Sequence, residues 1–193
     1  MYFQIEPTAY IVNGHDLLIT PFKTPIKTEF YDEDTDEEKD IELGYILAHR
    51  FDLAYSPRTL VSFADDLESD LFHVAKFFFE NKNNSQKLSG SRYLFYIDYI
   101  FLEPEFRGHG YALQALALFL ELFARGEVVS CHPRPMNDLE GKYSKTKGQL
   151  IMRKYWSKLG LTYYSKKHNI LWQDEWSMPQ WLKSTIFKSF DDL

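Results

Sequence analysis

The chain has 193 residues, of which 28 are acidic and 22 basic, giving a formal net charge of −6; 45% of residues are hydrophobic and 17% aromatic. That length suits a single domain spanning residues 1–193, and the composition is that of a globular protein with a large core, not a disordered chain. The negative balance argues against nucleic-acid binding, which needs a basic footprint, and one cysteine, Cys131, excludes an intramolecular disulfide.

The opening residues Met1 to Glu6 lack the basic and apolar segments of a secretory leader. No apolar run reaches the length of a membrane span, so a cytoplasmic protein with no membrane partner is expected. Two short apolar stretches, Ala9 to Val12 and Leu17 to Thr20, flank Asn13-Gly14, a two-residue hairpin signal. Residues Glu29 to Asp40 read as a solvated acidic loop, of which Asp32 to Asp40 could attract a cationic substrate. Glu42 to Ala54 reads as a strand with a bulge at Gly44. Pro57 breaks the chain, and Ser62 with Asp65 makes a capping-box-like start. Leu67, Leu71, Val74, Ala75 and Phe78 then predict one helix from Ser62 to Glu80.

Asn81 to Gly90 is polar and reads as a loop. Tyr93 to Leu102 is aromatic and β-branched, apolar on both faces, and predicts a central strand buried from both sides, which Pro104 ends. A helix from Tyr111 to Arg125 carries its polar members, Gln114, Glu121 and Arg125, in one narrow stripe, and Gly126 ends it. Glu127 to His132 is the next strand, giving a β-α-β unit with a right-handed crossover. A helix from Lys147 to Leu159 closes at Gly160, and short strands follow at Leu161 to Tyr164 and Asn169 to Trp172. The predicted fold class is therefore mixed α/β (α+β).

The turn between the central strand and its helix, Arg107-Gly-His-Gly-Tyr-Ala112, carries the chemistry. Unpaired N–H groups at a helix N-terminus, approached closely because the residues are small, make an anion site. A Walker A loop is absent. The dinucleotide fingerprint fails at its third glycine, where Leu113 stands, although Glu127 is spaced for a ribose contact. Arg107-x-x-Gly110-x-Ala112 instead resembles the acetyl-coenzyme A loop of the GNAT N-acetyltransferase family, and Lys158-Leu-Gly-Leu161 resembles the Lys-Leu-Gly-Phe of that family's last core helix. The resemblance covers about residues 93–165.

It implies a GNAT-like mixed, partly splayed central sheet flanked by helices, with an extra helix before the central strand. It implies that the backbone of Arg107, Gly108, His109, Gly110, Tyr111 and Ala112 holds the pyrophosphate of acetyl-CoA, with Arg107 ordering the loop. Ile100, Phe101 and Leu102 would pair with the pantetheine arm, and a bulge near Asp98 to Ile100 would start the splay. The implied reaction is acetyl transfer to a primary amine, of a small molecule or a protein, by direct attack in a ternary complex without a metal. A non-catalytic coenzyme A-binding module of the same fold is the alternative. Candidate bases are Asp98, which interrupts an apolar run, and His132, whose ordinary pKa is better placed. The family's acid is often a tyrosine four residues before the Lys-Leu-Gly glycine; Trp156 holds that position here and Tyr155 is the nearest candidate. Cys131 reads as a small buried residue. The basic stretch Lys142, Lys145, Lys147, Arg153 and Lys154 could meet the coenzyme's 3′-phosphate. The helix from Ser62 to Glu80 and the tail tryptophans Trp172, Trp176 and Trp181 would shape an acceptor pocket or a homodimer interface.

Overall fold

Tyr93–Leu102 is a strand over its full expected length and lies at the centre of an eight-stranded sheet. The structure is a computed structural model that describes residues 4–9, 17–32, 37–135 and 141–191, without the side chains of 30–32, 37–38 and 187–191. The strands are β1 (Gln4–Ile5), β2 (Thr8–Ala9), β3 (Ile19–Asp32), β4 (Glu37–Asp52), β5 (Tyr93–Leu102), β6 (Val128–Cys131), β7 (Tyr163–Ser165) and β8 (Ile170–Gln173). The helices are α1 (Pro57–Leu67), α2 (Ser69–Phe79), α3 (Lys82–Ser85), α4 (Tyr111–Phe123), α5 (Lys145–Trp156) and α6 (Gln180–Asp191). The sheet runs β1-β3-β4-β5-β6-β8-β7, with β2 also on β3. β5 and β6, joined through α4, are parallel; the other described pairs are antiparallel.

Both faces of the sheet are covered, as the apolar run in β5 requires. Phe95 and Ile97 pack with Leu116, Phe119 and Leu120 of α4 on one face. Leu94 and Tyr96 pack with Leu60 of α1 and Leu71 and Phe78 of α2 on the other. Each large side chain so buried contributes about 1.5–3 kcal/mol relative to exposure.

A bulge organises the functional end. Leu47 pairs with Tyr99 while Ala48 pairs with Ile97, so Asp98 is the extra residue in β5. The bulge shifts the alternation by one position: Phe95 and Ile97, then Ile100 and Leu102, all face the α4 side. Pairing of β5 with β6 stops at the same level, at Ile97 with Cys131. The sheet therefore splays from Asp98 onward, as the resemblance implied. A second bulge lies in β4, where Ile26 pairs with Gly44 and Lys27 with Glu42. Leu43 is its extra residue, and its carbonyl accepts from the Glu103 N–H at 2.9 Å, tying β4 to the end of β5.

Several expectations need correction. Asn13-Gly14 lies outside the described residues. The acidic stretch is not a loop over most of its length: Lys27 to Asp32 pairs with Glu37 to Glu42, so β3 and β4 extend through it, and strand pairing overrides local charge. The single helix from Ser62 to Glu80 is two helices broken at Glu68, which is extended (φ −161°, ψ 143°). Its first cap is Ser56, whose side chain accepts from the Thr59 N–H, and Pro57 occupies the first turn instead of breaking the chain. The stretch from Asn81 to Gly90 contains α3 and a 3₁₀ turn. α4 ends at Phe123, two residues early, and the Gly126 N–H bonds the Trp176 carbonyl at 2.8 Å. Among the described residues no helix is long and apolar enough to cross a membrane.

Candidate functional site

The chain leaving β5 makes one 3₁₀ turn at Pro104–Phe106 and then reverses through Gly108 (φ 86°) and Gly110 (φ 83°), both left-handed positions that favour glycine. Arg107 does not reach outward. Its Nε donates to the Leu102 carbonyl at 2.8 Å and its guanidinium lies over the Phe101 ring at 5.6 Å, fixing the loop to the strand end. Gly110 is the N-cap of α4 and offers no side-chain acceptor. Among the described residues the N–H groups of Gly108, His109, Gly110 and Ala112 donate to no backbone carbonyl. The first turn of α4 thus presents unpaired donors at the positive end of its dipole.

A cleft of about 450 Å³ opens in front of this turn. One wall is the splayed edge of β5, Tyr99 to Leu102; the floor is Gly108, Gly110, Tyr111 and Ala112; the far wall is α5, with Ile151, Met152, Tyr155 and Trp156. Of the expected coenzyme-binding residues, Ile100, Phe101, Leu102, Arg107, Gly108, Gly110, Tyr111 and Ala112 line it. The His109 side chain does not; it is exposed and stacks on Tyr111, with ring centres 5.2 Å apart.

The cleft meets a second, polar cavity of about 600 Å³ at His132 and Arg134, which line both. Asp70, His73, His168 and Asn169 form much of its wall. The Tyr96 hydroxyl lies 3.4 Å from Asp98 Oδ1, to which it donates, and 3.4 Å from His132 Nδ1. His132 Nδ1 is 3.8 Å from Asp70 Oδ1, and Asp70 is paired with Arg134. Carboxylate oxygens of Glu68, Asp70 and Asp98 lie within 4.8 Å of one another.

Crowding sets the protonation of this group. Burial, followed by the charge of Asp70, holds the Asp98 carboxyl above its ordinary value, while Arg134 and the Tyr96 hydrogen bond pull it down. Glu68 is raised by burial and by Asp98 and Asp70. Burial pushes His132 down to about 4 against the upward pull of Asp70, so its imidazole is neutral at pH 7. Tyr96 is pushed up, by burial first. Burial also lifts Tyr155 to about 12, so it keeps its proton at neutral pH.

The two expected bases, Asp98 and His132, thus share one network, although Asp98 itself lines neither cavity. Tyr155 and Trp156 both line the cleft; Trp156 is 4% exposed and belongs to the core, while Tyr155 is half-buried. Cys131 is fully buried, and burial raises its thiol, as its reading as a small core residue requires. Lys142, Lys145, Lys147, Arg153 and Lys154 do not line the cleft; Arg153 lies over Tyr164 and Lys147 over Tyr143, whereas Lys158 lines it. Glu127 is not available for a ribose contact: its Oε2 accepts from the N–H groups of Arg92 and Tyr93, both at 2.9 Å. Trp176 is core and donates to the Leu159 carbonyl at 2.7 Å; Trp181 is exposed.

Sequence reading missed Tyr96, Glu68, Asp70 and Arg134. Tyr96 lies two residues before Asp98, where strand alternation puts it on the same face, so it was within reach. Asp70 depends on the break at Glu68, which no local residue announces.

No protein-family model matches the chain, nor does any curated protein. Among solved structures the chain is similar to mosquito arylalkylamine N-acetyltransferase-like 5b, at 13% identity over 82% of this chain and 68% of the other, with a TM-score of 0.39. That likeness is too slight to carry residues or substrate across.

Proposed function

We propose that this chain is an N-acetyltransferase that moves the acetyl group of acetyl-CoA to a primary amine, of a small molecule or a protein, by direct attack in a ternary complex. The observation that supports the reading is the joining of two unlike cavities at His132 and Arg134. One has an anion cradle at its end and, along its side, the stretch of β5 from Ile100 to Leu102 beyond its last pair with β6, which suits a long phosphate-bearing thioester. The other is lined by polar groups, with Asp70 at its wall and the carboxylates of Glu68 and Asp98 close behind it, which suits an amine.

The N–H groups of Gly108, His109, Gly110 and Ala112 would hold the pyrophosphate, and the edge of β5 from Ile100 to Leu102, beyond its last pair with β6, would take the pantetheine arm as an added strand. A backbone N–H in that edge polarises the thioester carbonyl. An alkyl ammonium with a reference pKa of about 10.4 must lose a proton before it attacks. Asp70 and His132 stand at the cavity wall, and Asp98 behind them is the carboxylate made more basic by burial and by its neighbour's charge. Tyr155, protonated at neutral pH, supplies a proton to the departing thiolate. Holding amine and thioester together contributes much of the rate, so acid and base act as additions to it.

Incubating the full chain with acetyl-CoA and a panel of primary amines, following free thiol, tests the reading. Amine-dependent thiol release is expected. Coenzyme binding with no release for any amine would make the chain a coenzyme A-binding module instead.

A further inference from the structure

Three cavities lie end to end. The coenzyme cleft shares His132 and Arg134 with the polar cavity, and the polar cavity shares His73 and His168 with a third of about 680 Å³ beside α2 and the start of α3. The shared histidines are neighbours: the His73 ring centre lies 5.4 Å from those of both His132 and His168. One cavity of roughly 300–1,000 Å³ holds a small ligand. Two in series beyond the point of transfer exceed what a small amine fills.

Charge is ordered along this trough. At the near end three carboxylates cluster, Asp70 at the cavity wall with Glu68 and Asp98 behind it, against two cations, Arg134, which pairs with Asp70, and Lys145. At the far end stand Lys76, Lys82 and Lys167. Lys76 is balanced by Glu80 at 3.6 Å, but Lys82 and Lys167 are exposed and have no carboxylate within ion-pair distance among the described residues. Lys167 acts on the trough itself: His168 is held below the usual imidazole value by burial first and then by its neighbours, Lys167 among them. An acceptor matched to this order is positive at one end and negative at the other, with a long stem between.

We propose that the acceptor is an acidic peptide whose amine, N-terminal or lysine, lies at the junction of the first two cavities and whose carboxylates, a few residues along, lie between Lys82 and Lys167. This deepens the acetyl-transfer reading and rests on it for the fate of the amine. An extended peptide advances about 3.3–3.6 Å per residue, so the position of the carboxylate along the peptide is itself a ruler for the trough.

The test uses fluorescent peptides of one length, each with a free amine and either no aspartate or a single aspartate at a varied position. Binding to the full chain saturated with coenzyme A is followed by anisotropy at low and high salt. One aspartate position should bind roughly 10-fold tighter than the neutral peptide, the yield of two exposed charge contacts. That advantage should shrink at high salt and vanish in the double variant Lys82→Glu, Lys167→Glu, but persist in Lys183→Glu on the other face of the sheet. Equal binding of acidic and neutral peptides, or an advantage that survives the double reversal, overturns the proposal. So does a short aminocarboxylate that competes as well as the peptide. Thiol release reads the parent reaction separately: release with no preference for acidic peptides removes the trough alone, and selective binding without release removes the transfer alone.

Discussion

Gly44→Ala is expected to destabilise the protein far more than a glycine substitution usually does, because it strikes the joint between β4 and β5. A Cβ at Gly44 would lie 2.0 Å from the Phe101 carbonyl oxygen, whereas ordinary contacts begin at 3.4 Å. The strands would have to part by roughly 1.4 Å at the Gly44–Leu102 pair, beside the bond from Glu103 N–H to the Leu43 carbonyl. Two or three backbone bonds weakened at about 0.5–1.5 kcal/mol each, plus about 1–2 kcal/mol for a side chain at positive φ, come to roughly 3–5 kcal/mol. For a chain of this size each kcal/mol lowers Tm by about 2–4 °C, so a fall of roughly 6–20 °C is expected in thermal unfolding followed by circular dichroism. Gly90→Ala is the control: φ is also positive (97°), but nothing lies within 4 Å of its Cβ, so only about 1 kcal/mol is at stake. Phe101 also walls the cleft proposed for the coenzyme, so acetyl-CoA affinity should fall in the first variant and not in the second. A Tm for Gly44→Ala no lower than that of Gly90→Ala would refute the reasoning.

Asp98→Asn keeps the shape of the β5 bulge and removes the carboxylate, so amine-dependent thiol release should fall about 100-fold while coenzyme affinity, measured by calorimetry, holds; an unchanged rate would take Asp98 out of the proton path. Arg107→Ala removes the bond to the Leu102 carbonyl and the contact with Phe101, loosening the loop, so the acetyl-CoA Kd should rise about 10-fold with kcat little changed. Burial holds His49 down to about 4, while the unfolded chain takes up that proton near 6.5. Its contribution to stability is therefore full above pH 6.5 and is lost as pH falls toward 4, by about 2–3 kcal/mol. His132 acts in the same direction, and the raised carboxyls of Glu68 and Asp98 act in the opposite one, stabilising as they protonate. His49→Phe should therefore flatten, without abolishing, the fall in urea-unfolding free energy between pH 6.5 and 4; an unaltered profile would show that His49 is not the group responsible.

The glycine turn and its cleft were legible because local chemistry dictates them. Pro104, Gly108 and Gly110 each impose a backbone state, and Tyr111 to Phe123 carries a helical pattern that needs no partner to be seen. The network around Asp98 was not. Asp98 was noticed as a polar interruption, but its bulge is a mismatch between two strands, and in a run where nearly every residue is apolar the shift of phase between Ile97 and Ile100 leaves no mark. Leu67 and Leu71 continue one helical spacing across Glu68 although the helix does not: Leu71 packs under the sheet, while Leu67 at the end of α1 is exposed. Asp70 and Arg134 meet across 64 residues of sequence, a contact that only the fold creates.

The most direct test is calorimetric titration of acetyl-CoA into the chain and into Ala112→Asp, which sets a carboxylate in the floor of the cleft at the start of α4. Binding with one site per chain, weakened at least about 10-fold by the aspartate through like-charge repulsion with the pyrophosphate, is the predicted result. No heat of binding, or equal affinity in the two proteins, would contradict the placement of the coenzyme at this turn.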